Sequence, residues 1–225
     1  MLEAARGHNR LLEEKPDRHA MTGGEMETYL GMLDAAGGGV MGHVEIASIG
    51  VRLPIYHGTG EAALRAGAGH LEWSSLPVGG PGTHAVLTAH SGLPESRLFT
   101  DLNRLDHGDV FVLRVLGEEL AYRVDRILTV LPDDVSGLEI ESGMDHATLI
   151  TCTPYGVNSH RLLVRGVRVP GGEAGAGNGF PGASASFRCA CILLLPLVIL
   201  SLAVSLVSLP VIAFALTRQG RKENV

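Results

Sequence analysis

From residue 42 onward the chain is cut into short apolar runs by Gly, Pro and polar residues, at 43–49, 51–56, 84–88, 109–116, 120–131, 147–152 and 162–169. Runs of this length with little helical periodicity predict strands, and a succession of them predicts an antiparallel barrel or sandwich. Between the fourth and fifth runs Gly117-Glu118 predicts a tight turn, and Leu120-Ala121-Tyr122-Arg123-Val124 behind it alternates as a half-buried strand should. Residues 1–36 differ. They are polar and helical in pattern, with Leu11, Leu12, Met26, Tyr29, Leu30 and Leu33 as the apolar positions, and the Gly37-Gly38-Gly39 run ends them.

The texture changes twice more after the last run. Residues 171–179 are mostly Gly and Ala, too poor in apolar surface to order themselves, and predict a flexible tether. Residues 192–216 carry no charge and are rich in Leu, Val and Ile, long enough to cross a hydrocarbon layer of about 30 Å. The expected organisation is an N-terminal helical segment over 1–39, a β-rich body over 40–170, a Gly-rich tether over 171–188, a transmembrane helix over 189–217 and a basic tail over 218–225.

Arg218, Arg221 and Lys222 follow the apolar span, against Arg188 alone just before it. The positive-inside rule then places the C-terminus in the cytoplasm and the β-rich body outside. Residues 1–40 contain no apolar export segment, so the reading favours a signal segment encoded upstream of Met1 over a tail anchor that leaves the body in the cytoplasm. A formal charge of -6, with Lys and Arg scattered, gives no footprint for nucleic acid.

Of three cysteines, Cys189 and Cys191 adjoin the apolar span, which leaves Cys152 without a disulfide partner in the body. Cys152 ends a strand-like run, and Arg161 follows across a short loop as a permanent cation that can stabilise a thiolate or an oxyanion. Among ten histidines, His90 ends the run Ala85-Val86-Leu87-Thr88-Ala89, where a rigid scaffold presents a side chain. Taken singly, each has an ordinary reading: a small buried hydrophobe, a solvated strand-end cation, a surface imidazole. Together they suit cysteine-based acyl transfer, with nucleophile, proton carrier and oxyanion donor. The remaining histidines lack zinc-ligand spacing, and Gly79-Gly80-Pro81-Gly82 lacks the context of a phosphate loop, so no metal and no cofactor are expected.

Several stretches resemble the class C, pilin-polymerising sortases of Gram-positive bacteria. They are Thr148-Leu149-Ile150-Thr151-Cys152-Thr153-Pro154-Tyr155-Gly156, Asn158-Ser159-His160-Arg161-Leu162-Leu163-Val164-Arg165-Gly166, and His90-Ser91-Gly92-Leu93-Pro94 with Leu98-Phe99. Leu53-Pro54-Ile55-Tyr56-His57-Gly58-Thr59 and Ser74-Ser75-Leu76-Pro77-Val78-Gly79-Gly80 extend the resemblance. It implies an all-β, eight-stranded barrel with Cys152 as nucleophile, His90 as general acid and Arg161 as oxyanion stabiliser. It also implies a membrane-held cell-surface enzyme acting on a pilin or other surface protein with an LPXTG-like sorting signal, and a lysine amine of the next pilin as acceptor.

The chain departs from that family's pattern in two respects, the first being that residues 1–40 hold no N-terminal membrane segment of the kind the family generally carries. The Asp-Pro-aromatic lid is absent: the first phenylalanine is Phe99, the only tryptophan is Trp73, Pro16 precedes Asp17, and Tyr29 has no Asp-Pro beside it. An uncovered site is therefore expected. The rival readings are a housekeeping sortase that anchors proteins to the cell wall, a cysteine peptidase, and a non-enzymatic scaffold with an inert Cys152.

Overall fold

The computed structural model describes residues 1–92 and 96–169. The expected tether (171–188), membrane span (189–217) and basic tail (218–225) lie outside the described residues. Among the described residues no helix is long and apolar enough to cross a membrane.

The N-terminal segment is helical as expected and forms two helices, α1 (Leu2–Glu13) and α2 (Gly23–Leu30). Pro16 is poor helix material, and Thr22 starts α2 afresh with a capping box: its hydroxyl accepts from the Glu25 amide while the Glu25 carboxylate accepts from the Thr22 amide. Leu12, Tyr29 and Leu33 are buried as their spacing predicts, whereas Leu11 and Leu30 are 71% and 50% exposed. Two buried side chains pin the helices to the rest. The Asn9 amide donates to the Leu76 carbonyl at 3.0 Å and its oxygen accepts the Leu76 N–H at 2.8 Å. The Tyr29 hydroxyl donates to His70 Nδ1 at 3.0 Å and accepts the Gly58 N–H at 2.9 Å.

Eight strands follow: β1 (Val40–Ile46), β2 (Val51–His57), β3 (Ala68–His70), β4 (Thr83–Thr88), β5 (Val110–Val115), β6 (Glu118–Val130), β7 (Asp145–Thr153) and β8 (His160–Arg168). They close into a barrel in the order β1-β2-β3-β4-β7-β8-β6-β5, the closed eight-stranded form that the resemblance implies. Every apolar run is a strand; β3, with three residues, is too short to show in the pattern.

The barrel is not wholly antiparallel. β2 pairs with β3, and β4 with β7, in parallel. Alternation identifies a strand but not its direction, which is set by the connections; a helix, α3 (Glu61–Ala66), carries the chain from β2 back to a parallel β3. The β5–β6 turn is also shifted. Val115 pairs with Glu118, so the turn residues are Leu116 and Gly117, both at positive φ as this hairpin type requires.

Alternate strand positions fill the barrel with Val44, Ile46, Leu87, Phe111, Leu113, Tyr122, Leu149 and Val164, each contributing roughly 1.5–3 kcal/mol on full burial. At Gly42 the neighbouring strand comes so close that a Cβ would lie 2.2 Å from the Arg114 carbonyl oxygen, which excludes any side chain.

Candidate active site

Parallel pairing brings the C-terminal ends of β4 and β7 to the same rim. The last ladder pair is Thr88 with Ile150. The contact then continues past the strand end: the Ala89 N–H donates to the Ile150 carbonyl at 3.1 Å, and the Thr151 hydroxyl donates to the Ala89 carbonyl at 2.9 Å. The Ser91 hydroxyl donates to the Cys152 carbonyl at 2.8 Å. His90 is thus tied on both sides to the end of β7, level with Cys152. On the other flank of β7 the antiparallel ladder sets Cys152 directly opposite Arg161 of β8. Residues so paired share a face, with Cβ atoms about 5 Å apart. The three candidate residues therefore come together on adjacent strands.

They stand on the outer face of the barrel. Ala147 and Leu149 point into the core, so His146, Thr148, Ile150 and Cys152 alternate outward along β7. Below the candidate residues, Val86, Ile150 and Leu163 form a small apolar cluster with Leu138 from the loop over 131–144. Deeper still, His84 donates from Nδ1 to the Glu139 carbonyl at 2.8 Å and accepts at Nε2 from the Thr148 hydroxyl at 2.7 Å. Burial pushes His84 down to about 4.

Cys152 is a free, partly buried thiol. The His90 side chain is 30% exposed, and its Nε2 lies 3.8 Å from the Glu61 carboxylate of α3. Glu61 is in turn bonded to Arg65 at 2.6 Å, which is the main cause holding its carboxyl below the usual range. Arg161 donates from Nη1 to the carbonyls of Asn158 at 3.2 Å and His160 at 3.1 Å, and among the described residues no carboxylate pairs with it. These carbonyls aim the guanidinium without neutralising it, which leaves its other donors for a developing negative charge.

The loop between β7 and β8 crosses toward the loop after β4. A Cβ on Gly92, which has φ 77°, would lie 3.0 Å from the Tyr155 ring, so glycine there lets the two loops meet. Tyr155 and Val157 both remain 69% exposed beside the candidate residues.

Sequence reasoning picked Cys152, His90 and Arg161 and missed the groups that hold them. Thr151 and Ser91 flank two of these residues in the chain, yet their bonds need the β4–β7 register, which no local pattern encodes. Glu61 reaches His90 only through the parallel crossover.

The family model of the sortase domain matches residues 44–169. Sortase A of Bacillus anthracis is 33% identical over 127 residues, which are 56% of this chain and 59% of that protein's length. Among solved structures, sortase C1 of Streptococcus agalactiae is 49% identical with a TM-score of 0.72, covering 74% of this chain and 86% of the other. Sortase C of Streptococcus pneumoniae, whose description speaks of pilin substrate specificity, is 46% identical with a TM-score of 0.68, covering 75% and 86%. With a barrel of this order and a family match over more than half its length, the chain belongs to the sortase family. Within that family, its similar structures include sortases C.

Proposed function

We propose that the protein is a cysteine transpeptidase of the pilin-joining kind, with Cys152, His90 and Arg161 as its catalytic residues. The observation that carries this reading is the register that sets Arg161 opposite Cys152 while two side-chain hydrogen bonds tie the residues around His90 to the same strand end. The Cys152 sulfur attacks the Thr carbonyl of an LPXTG-like sorting signal. The C=O π electrons move to oxygen, and Arg161 stabilises the resulting oxyanion. As the C–N bond breaks, His90 gives its proton to the departing Gly amine, and a thioester on Cys152 remains. A lysine ε-amine of the next pilin then attacks the thioester. An isopeptide bond forms, the C–S bond breaks, and the amine's proton passes to His90.

The enzyme works at the outer face of the membrane of a Gram-positive bacterium, held there by its C-terminal apolar segment. A housekeeping role would use the same first half-reaction and differ only in the amine that resolves the thioester. Similarity to sortase C structures favours the pilin amine. The test is turnover of a labelled sorting-signal peptide with a lysine-bearing pilin peptide or with a cell-wall-type peptide amine. Isopeptide product with the lysine acceptor is expected. Release by water alone, unaffected by amine, would instead support a peptidase.

A further inference from the structure

The segment between α1 and α2 carries a side chain that none of the chemistry above uses. Arg18 is charged and belongs to a stretch without regular structure, yet its side chain is only 11% exposed. It donates to the Leu138 carbonyl at 3.3 Å and pairs with the Glu139 carboxylate. Its guanidinium carbon lies 5.9 Å from the centre of the Trp73 ring, and the neighbouring His19 ring packs on the same indole with centroids 4.3 Å apart. Burying a guanidinium costs desolvation, and this one is offset by a carboxylate, a carbonyl and an aromatic face together.

The contacts of Arg18 fall on the loop over 131–144 where that loop crosses the outer wall of β4, β7 and β8. Leu138 packs on Val86 and Leu163, and the Glu139 carbonyl accepts the hydrogen bond from His84 Nδ1. Glu141 pairs with Arg165 at 2.6 Å. Leu163 pairs with Ile150, two residues along the strands from the Cys152–Arg161 pair, about 7 Å away. The loop begins at Leu131, next to Val130, which pairs with Arg161. Leu131 and Val135 remain 57% and 38% exposed. A peptide whose carbonyl reaches the Cys152 sulfur approaches the same outer wall, beside the start of the 131–144 loop.

We propose that Arg18 is a positioning residue for substrate: it fastens the 131–144 loop to the Trp73 side of the barrel, and the N-terminal segment thereby sets how close that loop stands to the Cys152–Arg161 pair where the sorting signal binds. This rests on the proposed function. Arg18 touches neither the nucleophile nor the peptide; it acts through Leu138 and Glu139. Both bonds come from Nη2; what sets a guanidinium apart here is its planar face, which lies over the Trp73 ring while that nitrogen bonds the loop.

The full chain with Arg18→Gln and Arg18→Lys tests it by hydrogen exchange and peptide kinetics. Amide exchange across 136–141 is expected to speed up in Arg18→Gln. KM for the sorting-signal peptide should rise about fivefold while kcat changes by less than about twofold, with Arg18→Lys in between. The rate at which iodoacetamide alkylates Cys152 should stay at the parent value. Unchanged exchange across 136–141, or a fall in kcat at constant KM, would overturn the proposal. If the parent protein turns over no sorting-signal peptide, the proposed function fails, and the exchange measurement, which needs no substrate, still decides the fastening.

Discussion

Cys152 and Arg161 are direct partners across the β7–β8 ladder, although the chain between them leaves the barrel to make an exposed loop. The position of the guanidinium relative to the sulfur is therefore set by sheet hydrogen bonding, and the carbonyls of Asn158 in the loop and of His160 at the start of β8 only trim its angle. Two features follow: a permanent charge close to the Cys152 sulfur, and donors held in place before any substrate arrives.

Arg161→Ala should lower kcat by roughly a hundred- to a thousandfold, the range found when an oxyanion donor is removed. Arg161→Lys keeps the charge but loses the fork and should recover only part of that loss. The thermal midpoint should hardly move, since the bonds lost go to an exposed loop. Steady-state kinetics and melting curves on the same preparations check both halves of the statement.

Ser91→Ala removes the bond from the His90 loop to the Cys152 carbonyl. The stability cost should be about 0.5–1.5 kcal/mol, typical of one hydrogen bond. The catalytic cost should be larger, about tenfold in kcat with KM little changed, because His90 loses one of the two ties that hold it level with the nucleophile. Ser91→Thr should restore most of it. Equal kcat for the parent and Ser91→Ala would show that Thr151 alone suffices.

Acid should unfold the barrel through two buried histidines. Burial pushes His70 and His84 from 6.5 down to about 4. Their bonding patterns require the neutral ring: His70 Nδ1 accepts from Tyr29 while Nε2 donates to the Ser75 carbonyl, and His84 is fixed likewise between Thr148 and Glu139. Between pH 6.5 and 4 the unfolded chain binds protons that the folded one refuses. The stabilisation is thus fully present above about pH 6.5 and is lost as pH falls toward 4, of the order of 2–3 kcal/mol per histidine. Urea midpoints at pH 7.5, 5.5 and 4.5 should fall steeply for the parent and less steeply for His84→Gln; parallel curves would remove His84 from the explanation.

Tyr29→Phe leaves the Gly58 N–H and His70 Nδ1 without their partner in a buried place, at a cost of about 1–3 kcal/mol. The loosening should be local. Exchange should rise in α2 and around Gly58 while β6 to β8 keep their protection, since α2 adds no strand to the barrel. Uniform loss of protection would mean that the N-terminal helices and the barrel unfold as one unit.

The legibility of the chain divides along physical lines. Strands such as Phe111 to Val115 and Leu120 to Val124 were readable because alternate burial imposes a period on the sequence itself. Strand direction was not, and with it the reason His90 and Cys152 share a rim: parallel pairing of β4 with β7 is a property of distant connections. Cys152, His90 and Arg161 could be picked from residue type and place at strand ends, helped by the motif resemblance. Ser91, Thr151, Glu61 and Arg18 could not, because each acts through a partner that only the closed barrel brings near. The helical reading of residues 1–36 holds for α1 and α2, and the break between them lies at Pro16 and the Thr22-to-Glu25 capping box, both visible in the sequence as local stop and start signals.

The central claim is that Cys152 carries the acyl group between donor and acceptor. Brief incubation of the protein with a sorting-signal peptide, acid quench and peptide mapping by mass spectrometry measures this directly. The account predicts an adduct of the peptide's N-terminal fragment, through its Thr carbonyl, on Cys152 alone. That adduct should disappear when a lysine-bearing pilin peptide is added, and Cys152→Ala should show neither adduct nor product. Product formed by Cys152→Ala, or turnover by the parent with the acyl group on any other residue, would contradict it.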